Sequence, residues 1–262
     1  MILDHAASIA RRHGYTLADI RATHRRDRSL TRARWAVYRG LYGEHVSLRK
    51  IASLLNCDHK AVYAAVRGGV DMAGGWPFGD LRMFGYGVVH IDPAWSYQMY
   101  SEKGHAKSPH AHYDCMSIEE MKSYPVGDLA APDAVMVMWG VFPMMPQALD
   151  LMAHYGFQYK TGGAWAKQST TGNAWAFGTG YIFRGAAEFY IVGTIGEPKQ
   201  KSRSVRNLIV EPRREHSRKP DQIFRDIEAL WDGPYVDVFG RQARPGWTVW
   251  GQESDKFQGE AA

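Results

Sequence analysis

Four consecutive residues, Asp92-Pro93-Ala94-Trp95, combine an anionic acceptor, a stiffened backbone and a flat aromatic face. The exocyclic amine of adenine is a poor nucleophile because its lone pair is delocalised into the ring. A catalyst for its alkylation must therefore draw both N–H bonds toward acceptors. The Asp92 carboxylate supplies one acceptor and the Pro93 carbonyl the other, while the Pro93 ring fixes the turn so that the two point the same way. Trp95 offers a surface on which a base swung out of its stack can lie, which returns about 1–3 kcal/mol of the cost of unstacking. The carboxylate need not be a strong base, because the proton becomes acidic once the amine is alkylated. By itself an Asp-Pro after a strand is more often a turn, so the surrounding elements decide.

The short run Val88-Val89-His90-Ile91 is β-rich and delivers Asp92 at its end. Further strands are expected over 134–139, 158–165, 188–193, 236–239 and 248–250, with helices over 146–155 and 220–231 between them. In the second helix Ile223, Phe224, Ile227, Leu230 and Trp231 share one face, with Pro220 in the first turn. Strands alternating with helices predict a mostly parallel sheet whose ligands bind beyond the carboxyl ends of its strands, where Asp92 lies. Segments 98–114, 168–178 and 199–213 read as long loops.

Upstream of a glycine-rich break (Gly68-Gly69, Gly74-Gly75) the character of the chain changes, and the expected boundary lies near residue 70. A helix over 33–42 carries Trp35, Val37, Tyr38, Leu41 and Tyr42 on its apolar face. Ser47 caps a second helix with Leu48, Ile51, Ala52, Leu54 and Leu55, and a third over 59–67 turns Val62, Tyr63 and Val66 inward. This is helix-turn-helix spacing. Residues 1–70 hold thirteen Lys and Arg against five Asp and Glu, a net of +8, whereas the remaining nineteen and twenty-two give −3 within an overall +5. Clustered cations beside a helix pair suit a nucleic-acid contact, and the near-neutral remainder suits a globular enzyme.

At 262 residues, 45% hydrophobic, the chain is long enough for one α/β domain and a small satellite. Cys57 and Cys115 stand in neither disulfide nor zinc spacing. No apolar run is long enough to span a membrane and the first residues lack a signal-peptide pattern, so a cytoplasmic protein without a membrane partner is expected. His105, His110 and His112 lie close to Asp114, but the loop's Tyr100, Lys103 and Lys107 suit a phosphate-facing lid better than a metal site, and no metal is expected. Gly178-Thr179-Gly180 lacks the lysine of a phosphate-binding loop.

Several blocks, in order, resemble the adenine-N6 methyltransferase family typified by the catalytic subunit of the eukaryotic mRNA adenosine methyltransferase, especially its bacterial and phage branch. They are Asp92-Pro93-Ala94-Trp95 with its strand, His112-Tyr113-Asp114-Cys115-Met116-Ser117, Met138-Trp139-Gly140, and Phe177-Gly178-Thr179-Gly180-Tyr181 with Arg184 and Glu188. Arg214-Glu215-His216-Ser217-Arg218-Lys219-Pro220-Asp221, Phe239-Gly240-Arg241, Gly246-Trp247 and Trp250-Gly251-Gln252-Glu253 complete the set. The resemblance covers about residues 76–254 and implies a permuted Rossmann-like α/β domain over 71–262, with S-adenosyl-L-methionine as cofactor. It implies that Asp92, Pro93, Ala94 and Trp95 are catalytic. Lys219 would meet the methionine carboxylate, Arg241 the ribose and Gln252 with Glu253 the adenine of the cofactor, with Asp92, Asp237 and Arg244 in the same pocket. Asp237 reads equally well as a strand residue paired internally. Tyr97, His112, Tyr113 and Arg184 would face the substrate. Ala94 departs from the family's usual second proline and Gln252 from its usual asparagine, which touch the rate and the cofactor affinity respectively.

The segment from Ser47 to Ala65 resembles the C-terminal DNA-binding domain of the bacterial initiator DnaA, which makes residues 1–70 a small all-α helix-turn-helix module. That resemblance gives Asp58, His59 and Lys60 a base-reading role, with Arg49 and Lys50 beside them; the two threonines usual after the histidine are replaced by Lys60 and Ala61. The expected function is therefore N6-adenine methylation of DNA, with duplex DNA expected in place of RNA because a helix cannot read the deep groove of A-form RNA. The expected setting is the nucleoid of a bacterium or a phage-infected cell, with a homodimer left open. RNA N6-adenosine methylation, cytosine N4 methylation and a catalytically inactive DNA-binding subunit are the alternatives.

Overall fold

A computed structural model describes residues 1–22, 28–44, 46–67, 76–95, 116–178, 180–215, 218–251 and 254. The chain forms two compact units. One holds residues 1–80 together with Ser123–Asp128 and His154–Gly156, and the other holds the remainder. The expected boundary near residue 70 lies outside the described residues.

The first unit contains five α-helices among its described residues: α1 (Ile2–Arg12), α2 (Leu17–Arg21), α3 (Arg28–Gly43), α4 (Leu48–Leu55) and α5 (His59–Arg67). Two of these, α1 and α2, were not anticipated; α2 starts on a capping box in which Thr16 and Asp19 bond each other's backbone N–H. Ser47 caps α4 as expected, accepting the Lys50 N–H at 3.3 Å. Asn56 then turns the chain in the left-handed region (φ 52°) and α5 begins at His59. The buried stripe of α3 is Leu30, Ala33, Val37, Tyr38, Leu41 and Tyr42. Trp35, expected on that face, is two residues out of phase with Ala33 and is exposed, with the Arg39 guanidinium over its ring. Val62 and Val66 are buried as expected, whereas Tyr63 is half-buried.

The second unit is an α/β layer structure on a seven-stranded sheet, ordered β5-β3-β4-β2-β1-β6-β7. The strands are β1 (Tyr86–Ile91), β2 (Ala130–Gly140), β3 (Gln158–Gln168), β4 (Ala187–Ile195), β5 (Leu208–Pro212), β6 (Tyr235–Val238) and β7 (Trp247–Trp250). Helices α6 (Ile118–Ser123), α7 (Met145–His154) and α8 (Gln222–Leu230) complete the named elements. The sheet is mostly parallel; β4 alone runs against its neighbours β2 and β3. That reversal has a functional consequence. The beginning of β4, at Glu188, lies at the same edge as the ends of β1, β2 and β3, opposite Trp165 in register.

One face of the sheet buries Val88, Val135, Val137, Trp139, Trp165, Val192 and Ile209 with Ile223, Phe224 and Ile227 of α8. Fully burying each such side chain is worth about 1.5–3 kcal/mol, and the opposite face of β1 and β2 is buried as well, through Val89, Ile91, Met136 and Met138. Two expectations are corrected. Segment 199–213 is not wholly a loop, because Leu208–Pro212 forms edge strand β5, where a terminal proline costs no ladder bond. The last helix starts at Gln222 with Asp221 as its N-cap, so Pro220 precedes the helix instead of occupying its first turn, and Trp231 lies just past its end. No described helix is long and apolar enough to cross a membrane.

Candidate active site

The Asp92 backbone N–H extends the β1–β6 pairing by donating to Val238 C=O at 3.4 Å, which fixes the start of the tetrapeptide at the strand edge. Pro93 C=O accepts the Trp95 N–H at 2.8 Å, which uses one of its two lone pairs within the turn. Ala94 C=O accepts the Met116 N–H at 3.0 Å, and Trp95 and Met116 form a parallel bridge. The turn is thus tied to a neighbouring strand-like segment where a second proline would have stiffened it.

Trp95 is buried, and its indole N–H donates to Trp139 C=O at 3.0 Å. The Trp139 indole N–H in turn donates to His90 Nε2 at 2.9 Å. Because an indole nitrogen can only donate, His90 Nε2 must accept, and the ring proton sits on Nδ1, bonded to Asp237 Oδ1 at 2.7 Å. A continuous polar chain therefore runs from β6 through β1 and β2 to the tetrapeptide. His90 and Trp139 had no role assigned from sequence.

Lys219 reaches Asp92 Oδ2 at 2.8 Å and Glu188 at 3.6 Å, with its ammonium 5.6 Å from the Trp139 ring centre. Lys167 pairs with the other Glu188 oxygen. Burial alone would raise the Glu188 carboxyl; the ammonium groups of Lys219 and Lys167 outweigh it and hold the group at about 2. Lys167 and Glu188 were missed as site residues because only the antiparallel register of β3 and β4 brings them together. Their signal was an acidic residue opening an otherwise apolar strand.

Two cavities meet at Asp92, Lys219 and Arg218. The larger, of about 440 Å³, has Pro93 and the indoles of Trp95, Trp139 and Trp165 in its wall, with Glu188, Lys167, Arg213 and Arg214. The smaller holds His90, Asp237, Phe239, Gly240, Arg241 and Arg244. Gly240 is required there, since a Cβ would come within 2.4 Å of Asp237 Oδ2. Asp237 is paired internally with His90 through Oδ1, and it lines this cavity beside Gly240.

Arg244 lines the same cavity but its guanidinium is engaged by Asp221 at 2.6 Å and packs 3.8 Å from the Phe224 ring centre. Asp221 also holds Arg214 at 2.6 Å, and the two guanidiniums lower its carboxyl against the upward push of burial. Arg184 is exposed at the rim, 5.3 Å from the Phe177 ring centre. Tyr97, His112, Tyr113, Gln252 and Glu253 lie outside the described residues. So does the histidine-rich loop.

In the helical unit, Asp58 Oδ1 accepts the Lys60 N–H at 2.8 Å and lies 3.3 Å from His59 Nδ1, so its side chain closes the first turn of α5. Arg49 is partly buried, packed near Gly156 and beside Asp128. Lys50 and Lys60 are exposed and His59 is half-buried.

The MT-A70 family profile matches residues 86–253, well over half of the chain. The type II methyltransferase M.MunI from a Mycoplasma species is 27% identical over 188 residues, covering 64% of this chain and 77% of its own. A Drosophila melanogaster N(6)-adenosine-methyltransferase MT-A70-like protein is 28% identical over 184 residues, 68% of this chain. The human N(6)-adenine-specific methyltransferase METTL4 is 26% identical over 191 residues, 66% of this chain. The match spans only 28% and 38% of the length of the last two. The blocks that bring Asp92, Lys219 and Gly240 to one strand edge all fall within the matched stretch, and the chain belongs to the MT-A70 family of S-adenosylmethionine-dependent methyltransferases.

Proposed function

We propose that this enzyme methylates the N6 amine of adenine in DNA, with the base in the tryptophan-walled cavity and the cofactor reaching from the wall shared at Asp92 and Lys219 toward Asp237, Gly240 and Arg241. The observation that carries this reading is the position of Asp92 in the wall common to both chambers. The cofactor supplies an electrophilic methyl group on a sulfonium. Within the larger chamber the base stacks against an indole, and its two amine protons bond Asp92 and the remaining lone pair of Pro93 C=O. Polarised in this way, the nitrogen would take the methyl group that the sulfonium supplies, leaving a neutral thioether, and Asp92 would pass the surplus proton to water.

The residues of the smaller cavity fit the cofactor's charges. Lys219 supplies positive charge for a carboxylate, Asp237 Oδ2 an acceptor and Arg241 donors for ribose hydroxyls. Arg244 acts on this pocket through Asp221 and Phe224. Tyr97, His112, Tyr113 and Arg184 would complete the substrate side, and Gln252 with Glu253 the adenine end of the cofactor. We assign DNA anchoring to the basic helical unit, through Lys50, Lys60 and His59, and place the activity at a bacterial or phage-infected nucleoid. DNA, and not RNA, is favoured by that unit together with the relationship to M.MunI.

Incubation of the protein with labelled S-adenosylmethionine and a mixture of duplex DNA and RNA, followed by nucleoside mass spectrometry, tests the reading. N6-methyldeoxyadenosine is expected. Label confined to N6-methyladenosine or to N4-methylcytosine overturns it, and label in no nucleoside identifies an inactive subunit.

A further inference from the structure

The segment between β3 and β4 folds back on itself at the rim of the larger cavity. Gly178 and Gly185 exchange backbone hydrogen bonds of 2.9 and 3.2 Å, and a Cβ on Gly178 would come within 2.8 Å of Gly185 C=O, so only glycine permits so close a pair. At its base, Ala176 N–H donates to Lys167 C=O and Lys167 N–H to Ala186 C=O, both at 2.8 Å, which anchors the two arms on β3. Ala176, Gly178 and Gly185 form part of the same cavity wall as Asp92, Trp95 and Trp139.

Beyond that base the hairpin exposes what a protein usually buries. Ile182 is 89%, Phe183 86% and Phe177 73% exposed, and Tyr181 is also exposed. Arg184 lies over the Phe177 ring, and Arg213 sits in the wall beside the hairpin base. Apolar tips rimmed by guanidinium groups fit one kind of partner at this place. A nucleic-acid strand offers stacked bases to the apolar side chains and phosphates to the cations.

We infer that this hairpin is a wedge that opens the duplex beside the target adenine, with Ile182 and Phe183 entering the base stack as the adenine leaves it for the cavity. The inference rests on the DNA reading above and names how that substrate reaches the site. A paired base cannot meet Asp92 in a walled cavity without being extruded, and an extruded base leaves a gap that returns it to the stack unless the gap is filled. The Phe177–Arg184 pair then lies against the flanking nucleotide, its guanidinium toward the phosphates.

A wedge is needed only where there is a stack to open, and this separates it from a general binding surface. The full-length protein and the Ile182→Ala/Phe183→Ala variant are compared on the same bacterial DNA, native duplex and heat-denatured, with labelled S-adenosylmethionine. The variant is expected to lose about tenfold or more in methyl incorporation into duplex while changing less than about twofold on denatured DNA, given the unstacking cost of a base step. Ile182→Leu/Phe183→Leu, which keeps apolar tips, is expected to retain duplex activity. Thermal melting and sedimentation run on all three proteins.

Equal losses on both DNA forms, or no loss on either, overturn the wedge. So does a wild type that methylates denatured DNA alone. Equal losses accompanied by conversion of a wild-type dimer to a monomer would assign the hairpin to contact between copies of this chain. Absence of N6-methyldeoxyadenosine from the wild-type reaction on either DNA overturns instead the DNA reading on which the wedge depends.

Discussion

Each unit of the molecule holds a carboxylate largely out of water, and the two are treated in opposite ways. Asp128, fully buried in the helical unit, accepts the Leu48 N–H at the start of α4 at 3.2 Å. Burial pushes its carboxyl up to about 7, and the Leu48 N–H, the Tyr42 hydroxyl and Arg49 only partly offset that. Glu188, at the start of β4 in the sheet unit, is held at about 2 because two ammonium groups outweigh its burial. What surrounds a buried acid therefore decides whether it is a proton-holding acceptor at a helix end or a fixed anion. In the sheet unit Lys219 pairs with both Glu188 and Asp92, whereas the cation acting on Asp128 is the Arg49 guanidinium.

The largest expected effect removes the acceptor on which the sheet unit's arrangement converges. Asp92→Ala should lower methyl transfer by roughly 10²–10³-fold or more, the range seen when one preorganised group facing a developing charge is deleted. Turnover and thermal melting are measured together, and near-wild-type turnover would reject the catalytic assignment.

Glu188→Gln should come next. With a folded value near 2 against an ordinary 4.5, Glu188 contributes stability that is present above about 4.5 and lost as pH falls through about 2. The neutral variant should lose about 3 kcal/mol near pH 7 in urea unfolding, and the difference from wild type should shrink toward acid. Methyl transfer should fall as well, since Lys219 and Lys167 lose their common partner. A pH-independent difference would mean packing, not charge, is at stake.

Asp128→Asn should act with the opposite sign. Its folded value near 7 lies above the ordinary 3.8, so the stabilising contribution of the neutral acid is complete below about 4 and lost as pH rises through 7. Asparagine keeps an acceptor for the Leu48 N–H without the charge. Above pH 7 the variant should be more stable by about 2 kcal/mol, read from hydrogen exchange of α4, with the gain disappearing below about pH 4. A loss of stability at every pH would show that Asp128 is held ionised.

The sequence revealed what depended on local spacing. Asp92 at a strand end, Ser47 capping α4, and α5 starting at His59 all follow from patterns within a few residues. It concealed what depended on sheet order. The His90–Asp237 hydrogen bond joins residues 147 apart and exists because β1 lies beside β6. Lys167 meets Glu188 only through the antiparallel pairing of β3 with β4. Strand β5 was hidden for another reason: Ile209 is its one fully buried side chain, so an edge strand of five residues left little hydrophobic pattern. Asp58 and Arg49 also make contacts within the helical unit that the spacing did not reveal.

The smallest effect concerns exposed charge, where the helical unit should be sensitive and the sheet unit indifferent. Among the residues named as DNA contacts, Lys50 and Lys60 are the exposed cations, and neither ammonium holds the unit together through any contact described above. Lys50→Ala/Lys60→Ala should leave folding and methyl transfer at saturating DNA unchanged while weakening DNA binding. The slope of log affinity against log salt should fall by about 1.8, because each lost phosphate contact removes about 0.9 through counterion release. Fluorescence anisotropy on a labelled duplex over a range of salt measures both quantities. An unchanged slope would show that these lysines carry no phosphate contact, and packing or dimerisation would become the better account of the helical unit.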